Sequence, residues 1–368
     1  MITYCTNIHR GETWQEVFKN LRTHLPAVKE AVSPHERFPI GLRLSHLAST
    51  ELAPEESARF MSWCEEHDMF VATINGFPYG PFHAASIKEQ AYFPDWRHAE
   101  RVTYTERLAS LLDAWLPAGV TGSISTVPIG LKSHVRPDDY GAIRQNLTRA
   151  LEHLDRLQDK SGKEIVLCLE PEPGCVLETT AEVISFFERM NFGRSTRNRL
   201  GVCFDCCHQA VEFEEPMEAL SLLFGGSIRI GKVQVSSALR VERQHRDVLG
   251  RYDEPCYLHQ VVIMNPNGSL TRYRDIPDAL SARPGASRKE WRVHFHVPVF
   301  LEHTGTCGTT RSFTEEILSL LDDDVLLEVE TYTWDVLPQE SRTESVVQSI
   351  IREIEWVQGR RHAAHCRS

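Results

Sequence analysis

The chain has 368 residues, 41% of them hydrophobic and 25% charged, and its formal net charge is −11. This composition is typical of a globular protein with a sizeable core, and the length fits two domains or one α/β barrel. The acidic balance argues against nucleic acid as a partner, because phosphate binding needs a basic face. Without a signal-peptide pattern or a run of 18 apolar residues, we expect a cytoplasmic protein with reduced thiols and no membrane insertion.

Strand and helix candidates alternate along the whole chain. Short apolar runs predict eight strands, at residues 2–6, 40–45, 70–74, 121–127, 164–170, 200–205, 228–235 and 325–331. Amphipathic stretches between them predict helices, the last of which runs from about Glu344 to Gln358. Eight such units predict an α/β fold with a closed parallel (β/α)8 TIM barrel. An open doubly wound sheet is the alternative, but the turn after the first strand contains no G-x-G-x-x-G sequence.

We expect a single barrel domain over residues 1–358, followed by a disordered polar tail over 359–368. Two segments interrupt the alternation within the barrel. A long loop rich in aromatic residues, His, Pro and Gly covers residues 75–97, after strand three. A β-rich insertion covers residues 236–300, after strand seven, and contains a hairpin-like turn at 265–268. Both interruptions would lie at the C-terminal face of the barrel, where barrel enzymes carry their sites.

Three of the predicted strands end on a carboxylate: Glu170 on strand five, Asp205 on strand six and Glu330 on strand eight. A charge at such a position is costly unless it is paired, hydrogen-bonded or bound to a metal. Because the C-terminal ends of barrel strands meet at one mouth, we expect a shared site. A divalent cation would relieve the repulsion between the acids, and an oxygen-rich site with one or two imidazoles suits Mn, Mg, Co or Fe. In the other interpretation, each acid pairs with an arginine or caps a helix.

Other polar residues are candidates for the same mouth. His208 follows Asp205 by three residues, a spacing that lets the acid bind metal while the imidazole faces the substrate. Gln234 ends strand seven and offers a weak neutral ligand or a donor to a hydroxyl. His294 and His296 alternate in a strand-like run of the insertion, so one of them could reach the metal; otherwise both are exposed strand residues.

The loop after strand three mixes aromatic side chains with a few polar ones, which suits a sugar or cyclitol ligand. The alternative is a packed loop that only covers the barrel mouth. The candidate substrate contacts are His46, Asn75, Phe77, Tyr79, His83, Lys88 and Trp96.

With these acids in place, the chain resembles the xylose isomerase-like TIM barrels. In those proteins, Glu, Asp, His and Glu residues at the ends of strands five to eight hold a divalent metal. The three strand-end acids match this pattern and His208 takes the Asp-x-x-His position, whereas Gln234 stands where a histidine is expected. The resemblance implies a Mn, Co, Fe, Mg or Zn cofactor, with Gln234 or an insertion histidine completing the ligand set. The ligands implied in this way are Glu170, Asp205, Gln234, His296 and Glu330.

A closer resemblance is to the metabolite traffic protein EboE family, a branch of these barrels. It is carried by five segments spread over nearly the whole chain, at residues 4–9, 41–45, 75–80, 93–96 and 328–334. The family name records a gene-cluster association with precursor export. It implies a functional link to a prenyltransferase-like membrane protein and a sugar-phosphate cyclase-like enzyme, and therefore a sugar-derived or cyclitol substrate. A homodimer is expected from the superfamily.

The expected function is therefore a metal-dependent isomerase or epimerase of a polyhydroxy ketone, sugar or cyclitol. Glu170 and Glu330 would be the acid–base pair that moves a proton through an enediolate, and His208 would orient a substrate hydroxyl or Asp205. The alternative is a non-catalytic barrel that binds a biosynthetic intermediate and hands it over. A phosphodiesterase like the endonuclease IV relatives of this barrel is disfavoured by the acidic charge and the few aligned histidines.

Overall fold

The structure, a computed structural model, describes residues 1–83, 87–282, 290–342 and 344–365. Eight parallel strands form its main sheet; numbered along the chain, they are β1 (Ile2–Tyr4), β2 (Phe38–Arg43), β3 (Met69–Asn75), β4 (Gly122–Thr126), β5 (Ile165–Leu169), β6 (Leu200–Asp205), β7 (Arg229–Val235) and β14 (Leu327–Val329). Their order is β1-β14-β7-β6-β5-β4-β3-β2. A parallel bridge between Cys5 and Gly41 joins the two ends of this order, so the barrel is nearly closed. The predicted (β/α)8 barrel and its eight strands are confirmed.

The strands are covered on both faces. Every residue of β2, β3, β4, β5 and β6 is buried. Parallel strands in this position consist of nearly continuous apolar runs, whereas strands with one wet face alternate apolar and polar residues. For this reason, apolar runs locate most of these strands in the sequence, whereas β4 is buried although it contains Ser123, Ser125 and Thr126.

Helices of the described residues surround the sheet, and none of them is long and apolar enough to cross a membrane. Thr13 and Thr179 begin two of them with a capping box, in which the threonine hydroxyl and a glutamate three residues later satisfy the free backbone N–H groups. The α-helices are α1 (Trp14–Val32), α2 (His46–Glu51), α3 (Pro54–Glu66), α4 (Ala99–Trp115), α5 (Tyr140–Ser161), α6 (Thr180–Met190), α7 (Arg194–Arg197), α8 (Cys206–Val211), α9 (Pro216–Gly225), α10 (Ile276–Ser281), α11 (Arg311–Leu320) and α12 (Val346–His365).

The last helix is longer than the sequence predicts. α12 continues to His365, so it occupies residues 359–365 of the segment that we expected to be a disordered tail. Polar contacts account for the difference, because the guanidinium of Arg361 donates to the carbonyl oxygens of Leu318 and Leu321, both at 2.7 Å. These carbonyls lie at the end of α11, where helix carbonyls lack partners within their own helix. Residues 366–368 lie outside the described part of the chain.

A second, antiparallel sheet follows β7, where the sequence predicts a β-rich insertion. Its order is β10-β9-β11-β8-β13-β12, and its core contains Trp291 and Phe295. The sheet extends past residue 300, the predicted end of the insertion. β11 ends at Val293, so the two histidines of the strand-like run lie just after a strand instead of within one. Its strands are β8 (Leu239–Glu242), β9 (Val261–Met264), β10 (Leu270–Tyr273), β11 (Glu290–Val293), β12 (His303–Thr304) and β13 (Cys307–Thr309).

A buried ion pair joins two neighbouring strands of the barrel. Lys232 of β7 donates from Nζ to Glu328 Oε2 of β14 at 2.5 Å, and both side chains are 0% exposed. Burial is the largest single effect and would lower the pKa of Lys232, but Glu328 and the other acidic side chains nearby together outweigh it and raise the pKa well above its usual range. Gly41 leaves room for this pair, because a Cβ on it would lie 2.2 Å from Glu328 Oε1.

Candidate functional site

The three strand-end carboxylates meet in one buried centre. Glu170 follows β5, Asp205 ends β6 and Glu330 follows β14, and each offers an oxygen within 4.8 Å of the others. Glu330 Oε1 accepts hydrogen bonds from Asn7 Nδ2 at 2.8 Å and Asn75 Nδ2 at 3.1 Å. In contrast, Glu170 Oε2 and Asp205 Oδ2 are buried without a hydrogen-bond partner. Buried oxygens in this state fit a cation, since an unpaired buried charge is otherwise costly.

The pKa shifts of these acids also show that their negative charges are unfavourable at this buried position. Burial raises the pKa of Glu170 to about 8; Lys232 opposes this shift, and Asp205 adds to it. Burial, followed by repulsion from Glu170 and Asp205, raises the pKa of Glu330 well above its ordinary value. Either protons or a divalent cation can relieve such repulsion. An oxygen-rich donor set of this kind suits hard divalent cations such as Mg²⁺ and Mn²⁺.

Gln234 lies on β7 between the strands that carry the other residues. Its register partners are Asp205 on β6 and Glu328 on β14. The side chain is fully buried, and neither Oε1 nor Nε2 makes a hydrogen bond. The amide oxygen therefore has both of its lone pairs available as a neutral ligand.

Two histidines lie beside Asp205. His208, on α8, and His296, after β11, form with Asp205 a second set of ligand atoms within 4.8 Å of one another. The two Nε2 atoms are 3.4 Å apart, and His208 Nε2 is 4.0 Å from Asp205 Oδ1. Burial lowers the pKa of both imidazoles, and the proximity of His296 lowers the pKa of His208 further. The insertion thus brings a histidine to the barrel mouth.

A cavity of about 50 Å³ opens beside the carboxylates. Glu170, Glu330 and His208 lie on its wall, and so do three of the predicted substrate contacts, Asn75, Phe77 and Lys88. Its aromatic walls come from the barrel loops and the insertion, and they include Phe77, Phe82, Tyr92, Tyr257 and Tyr332. Apolar walls with a few convergent polar groups are typical of sites for small organic ligands.

The structure does not place the other four predicted contacts on this wall. The ring of His46 stacks on that of Tyr79, with centroids 4.4 Å apart. His83 Nε2 bonds to the carbonyl oxygen of Asn7 at 2.7 Å, and Trp96 is fully buried in the main core. Of these four side chains only Trp96 is fully buried, because the long loop that carries it buries part of its own apolar surface as it folds back.

Sequence reasoning missed a polar network on the cavity wall. Glu172 Oε1 accepts from the Tyr92 hydroxyl at 2.5 Å, while its Oε2 is buried without a partner. Gln260 Nε2 donates to the same hydroxyl at 2.9 Å, and its Oε1 lies 2.7 Å from His294 Nδ1. Burial raises the pKa of Glu172 well above its ordinary value. The available signal was the Glu170-Pro-Glu172 sequence, which puts a second acid just past the strand end.

An eight-stranded parallel barrel with buried acids at the C-terminal ends of its strands defines the class of TIM barrels that carry their site in the mouth. Residues 36–261, more than half of the 368-residue chain, match the family described as "Xylose isomerase-like TIM barrel". The chain belongs to this family, which confirms the broader of the two resemblances. No curated protein matches the sequence.

Solved structures of the same fold cover nearly the entire chain. A xylose isomerase-like TIM barrel protein from Mycobacterium smegmatis in complex with magnesium is 12% identical, covers 99% of this chain and 97% of its own, and has a TM-score of 0.54. For an L-ribulose 3-epimerase, the identity is 11%, the coverages are 100% and 96%, and the TM-score is 0.55. The IOLI protein with a bound zinc atom is 14% identical, covers 99% of this chain and 98% of its own, and has a TM-score of 0.50. At these identities the likeness is one of fold.

Proposed function

We propose that this chain is a metal-dependent isomerase or epimerase of a sugar, cyclitol or related polyhydroxy ketone. The observation that carries the proposal is the buried centre of Glu170, Asp205 and Glu330, in which Glu170 and Glu330 also line the cavity. The L-ribulose 3-epimerase of the same fold supports a sugar as the class of substrate.

The metal would be held by Glu170, Asp205 and Glu330, with the Gln234 amide oxygen or the His296 imidazole completing the ligand set. The unpartnered buried oxygens of Glu170, Asp205 and Gln234 fit a divalent ion, and magnesium and zinc occur in two structures of this fold. Mn, Co and Fe suit the same donors. When bound, such an ion polarises a substrate carbonyl and stabilises the negative charge that develops on it.

Within the cavity, Glu170 and Glu330 would move the proton. One carboxylate would remove the proton next to the carbonyl, and the other would return it on the opposite face to complete an epimerisation. Asn7 and Asn75 hold Glu330 in place through its Oε1. The backbone N–H of His208 donates to Asp205 Oδ1 at 3.0 Å, which fixes the orientation of that acid. The aromatic walls would exclude water from the reacting carbon.

We extend the proposal to the biological setting that the closer resemblance implies. As a member of the metabolite traffic protein EboE family, the chain would act on a cyclitol or sugar-derived intermediate in the cytoplasm. It would form a homodimer and act beside the other proteins of a metabolite-export gene cluster. Co-purification of the tagged chain with those proteins, or conversion of their product by the pure chain, tests this setting.

Exchange of Glu330 for glutamine tests the proton transfer. We expect Glu330→Gln to reduce turnover about a hundredfold to ten-thousandfold, since the variant keeps the shape of the residue but loses the group that carries the proton. The measurement is solvent deuterium incorporation by NMR, with Mn²⁺-loaded protein and a panel of ketopentoses, ketohexoses and inososes. Glu340→Gln, at an exposed position, is the matched control. Full exchange by the Glu330 variant would contradict the proposed role.

A non-catalytic carrier of the same ligand is the second candidate, and one observation favours it. Gln234 is a weaker ligand than the histidine that the related barrels have on strand seven, so the metal set is weakened at that position. Elemental analysis of the purified protein separates the two functions. Stoichiometric metal supports the enzyme, whereas ligand binding without metal, even after supplementation, supports the carrier.

A further inference from the structure

Glu172 lies on the cavity wall with one carboxyl oxygen that no protein group satisfies. The residue is only 2% exposed, and its Oε2 has no hydrogen-bond partner among the described residues. Glu172 is also absent from the three groups of described side chains whose ligand atoms converge as they would around a metal ion. Since it lines the cavity, a bound ligand can supply the partner that this oxygen lacks.

Hydrogen-bond directions around Glu172 are fixed by a backbone carbonyl group. Gln260 Nε2 lies 2.9 Å from the carbonyl oxygen of Pro173, which can only accept, so this side-chain atom is the donor. The same nitrogen donates to the Tyr92 hydroxyl at 2.9 Å, and that hydroxyl donates its single hydrogen to Glu172 Oε1. Gln260 Oε1 therefore accepts from His294 Nδ1 at 2.7 Å. Neither Tyr92 nor a neutral His294 has a polar hydrogen left for a ligand.

Two further tyrosines of the wall donate their hydrogens in the same way. His294 Nε2, which carries no hydrogen, accepts from the Tyr332 hydroxyl at 3.4 Å. His83 Nε2 donates to the carbonyl oxygen of Asn7 at 2.7 Å, so its Nδ1 accepts from the Tyr257 hydroxyl at 2.8 Å. To a ligand, these hydroxyl groups offer lone pairs only.

The unused polar atoms of the described wall are mainly acceptors. Buried oxygens without a partner belong to Glu170, Glu172 and Asn7. Among the described lining residues, Lys88 is the one with a permanently cationic side chain, and it is paired with Asp275. A ligand that complements this wall therefore brings hydrogen-bond donors and a positive charge.

We propose that the ligand of this cavity carries an amino group, which binds as an ammonium ion to Glu172 Oε2. The proposal deepens the proposed function and rests on it for the rest of the ligand, so the substrate would be an amino sugar, an aminocyclitol or a related amino ketone. An ammonium group has three donors and no lone pair, and thus matches a wall of acceptors. A hydroxyl group in its place would bring lone pairs for which the wall has few donors.

Charge and aromatic surroundings favour the same ligand. A buried carboxylate is costly without a countercharge, and the ammonium ion would supply one for Glu172. Phe77, Tyr92 and Tyr332 lie on the same wall, and aromatic faces attract cations most strongly where water is excluded. Glu172 would thus select the ligand, with Tyr92 and Gln260 as positioning residues that hold its carboxyl group.

Paired amine and hydroxyl ligands test the proposal by isothermal titration calorimetry on the full, Mn²⁺-loaded chain. The probes are inosamines and 1-amino-1-deoxyketohexoses, each compared with the inositol or ketohexose that has a hydroxyl in place of the amine. We expect at least one amine to bind about tenfold to a hundredfold more tightly than its hydroxyl partner, the range for a hydrogen bond to a charged group.

Glu172→Gln keeps the shape of the side chain and an oxygen for the Tyr92 hydroxyl but removes the charge. We expect this variant to lose the preference for the amine and to bind the hydroxyl partner nearly as the wild type does. Glu89→Gln is the matched control, because Glu89 lies on the same loop as Tyr92 but outside the cavity wall, where it pairs with Arg274. It should keep the preference.

The outcomes separate this inference from the proposed function. A wild type that prefers no amine, or that binds none of the probes, would overturn the ammonium site, and so would a Glu172→Gln variant with the wild-type preference. Deuterium exchange into a neutral ketose without any preference for amines would leave the isomerase in place. A preference that depends on Glu172, without exchange in any ketone, would support the ammonium site and contradict the isomerase. The wild-type comparison needs no variant, so the test remains decisive if a variant does not fold.

Discussion

At the scale of single residues, Lys232 places a positive charge next to Glu328 and Glu170 inside the barrel. It is completely buried, pairs with Glu328, and lowers the pKa of Glu170 against the larger opposing effect of burial. A buried ion pair contributes little net stability, because desolvation of both charges offsets their attraction. Removal of only one partner is different, because it leaves the other charge buried without compensation.

Lys232→Met should therefore destabilise the protein by about 3–5 kcal/mol, because Glu328 would remain in the barrel without its partner. Urea unfolding at neutral pH, followed by circular dichroism, measures the change. Arg251→Ala is the matched control: Arg251 pairs with Glu340 at the surface, where the two side chains are 56% and 49% exposed, and we expect a loss below about 1 kcal/mol. Equal losses in the two variants would show that the barrel pair is not desolvated as the structure indicates.

The sequence predicts well which side chains come together when they stand at or just after strand ends. Glu170, Asp205 and Glu330 could be assigned because an apolar strand that ends on an acid fixes the direction of that acid. Trp96, by contrast, was expected to contact substrate but is part of the main core, because the path of a loop does not follow from its composition. The position of His296 depends on how a whole second sheet packs on the barrel, and local sequence carries no signal for that.

At the scale of elements, α12 is tied to the barrel by one buried acid. Glu353 Oε1 accepts from the Thr331 hydroxyl at 2.7 Å and from the backbone N–H of Val299 at 3.1 Å. Thr331 lies just after β14, and Val299 lies between β11 and β12 of the second sheet, so Glu353 joins the last helix to both sheets. Burial raises the pKa of Glu353 to about 7, and the two hydrogen bonds oppose this shift.

This acid makes stability depend on pH. Because the folded-state pKa is raised above the ordinary value of 4.5 to about 7, the folded chain holds the proton more tightly, and stability falls as pH rises between these values. In Glu353→Gln this contribution disappears, so the decline in the free energy of unfolding from pH 5 to pH 8 should be smaller by about 1.4 kcal/mol per unit of pKa shift.

Denaturant unfolding at the two pH values measures the effect. Glu355→Gln is the control, because it makes the same substitution at an exposed position of the same helix. An unchanged pH dependence in Glu353→Gln would mean that this carboxyl titrates normally in the folded protein.

Elements differ in how far the sequence defines them. The eight strands were predicted within a few residues, because burial on both faces makes most of their sequences largely apolar; β4, with Ser123, Ser125 and Thr126, is a polar exception. The end of the second sheet was not predicted, since β12 and β13 are two and three residues long. β12 pairs with β13, and β13 pairs with β8, which lies far earlier in the chain. Short strands of this kind carry too few residues for a periodic pattern.

At the scale of the whole molecule, barrel closure between β1 and β2 depends on few contacts. The Thr3 hydroxyl donates to the Pro39 carbonyl oxygen at 2.6 Å, and Gly41 N donates back to that hydroxyl at 3.2 Å. Gly41 lies where the chain approaches Glu328 and Tyr4 most closely. A Cβ there would be 2.2 Å from Glu328 Oε1 and 2.6 Å from the Tyr4 carbonyl oxygen.

Gly41→Ala should consequently destabilise the protein by about 1–3 kcal/mol or more, because the added methyl group must push the closing strands apart. Thermal unfolding measures the loss. Gly141→Ala is the matched control: Gly141 lies in α5 with nothing within 4 Å of the added Cβ, and alanine there should stabilise slightly. A Gly41 variant as stable as the wild type would contradict the closure seen here.

The hydrogen bond between Asn7 and Glu330 has a consequence for biosynthesis. It joins residues 323 positions apart, and the strands beside it, β1 and β14, are neighbours in the barrel. During translation, the first strand must wait for nearly the whole chain to leave the ribosome before it meets this neighbour. Until then both strand edges are open to other chains. Glu330 can therefore meet Asn7 only after both ends of the barrel sequence have been synthesised, so a chain that stops before β14 lacks this contact.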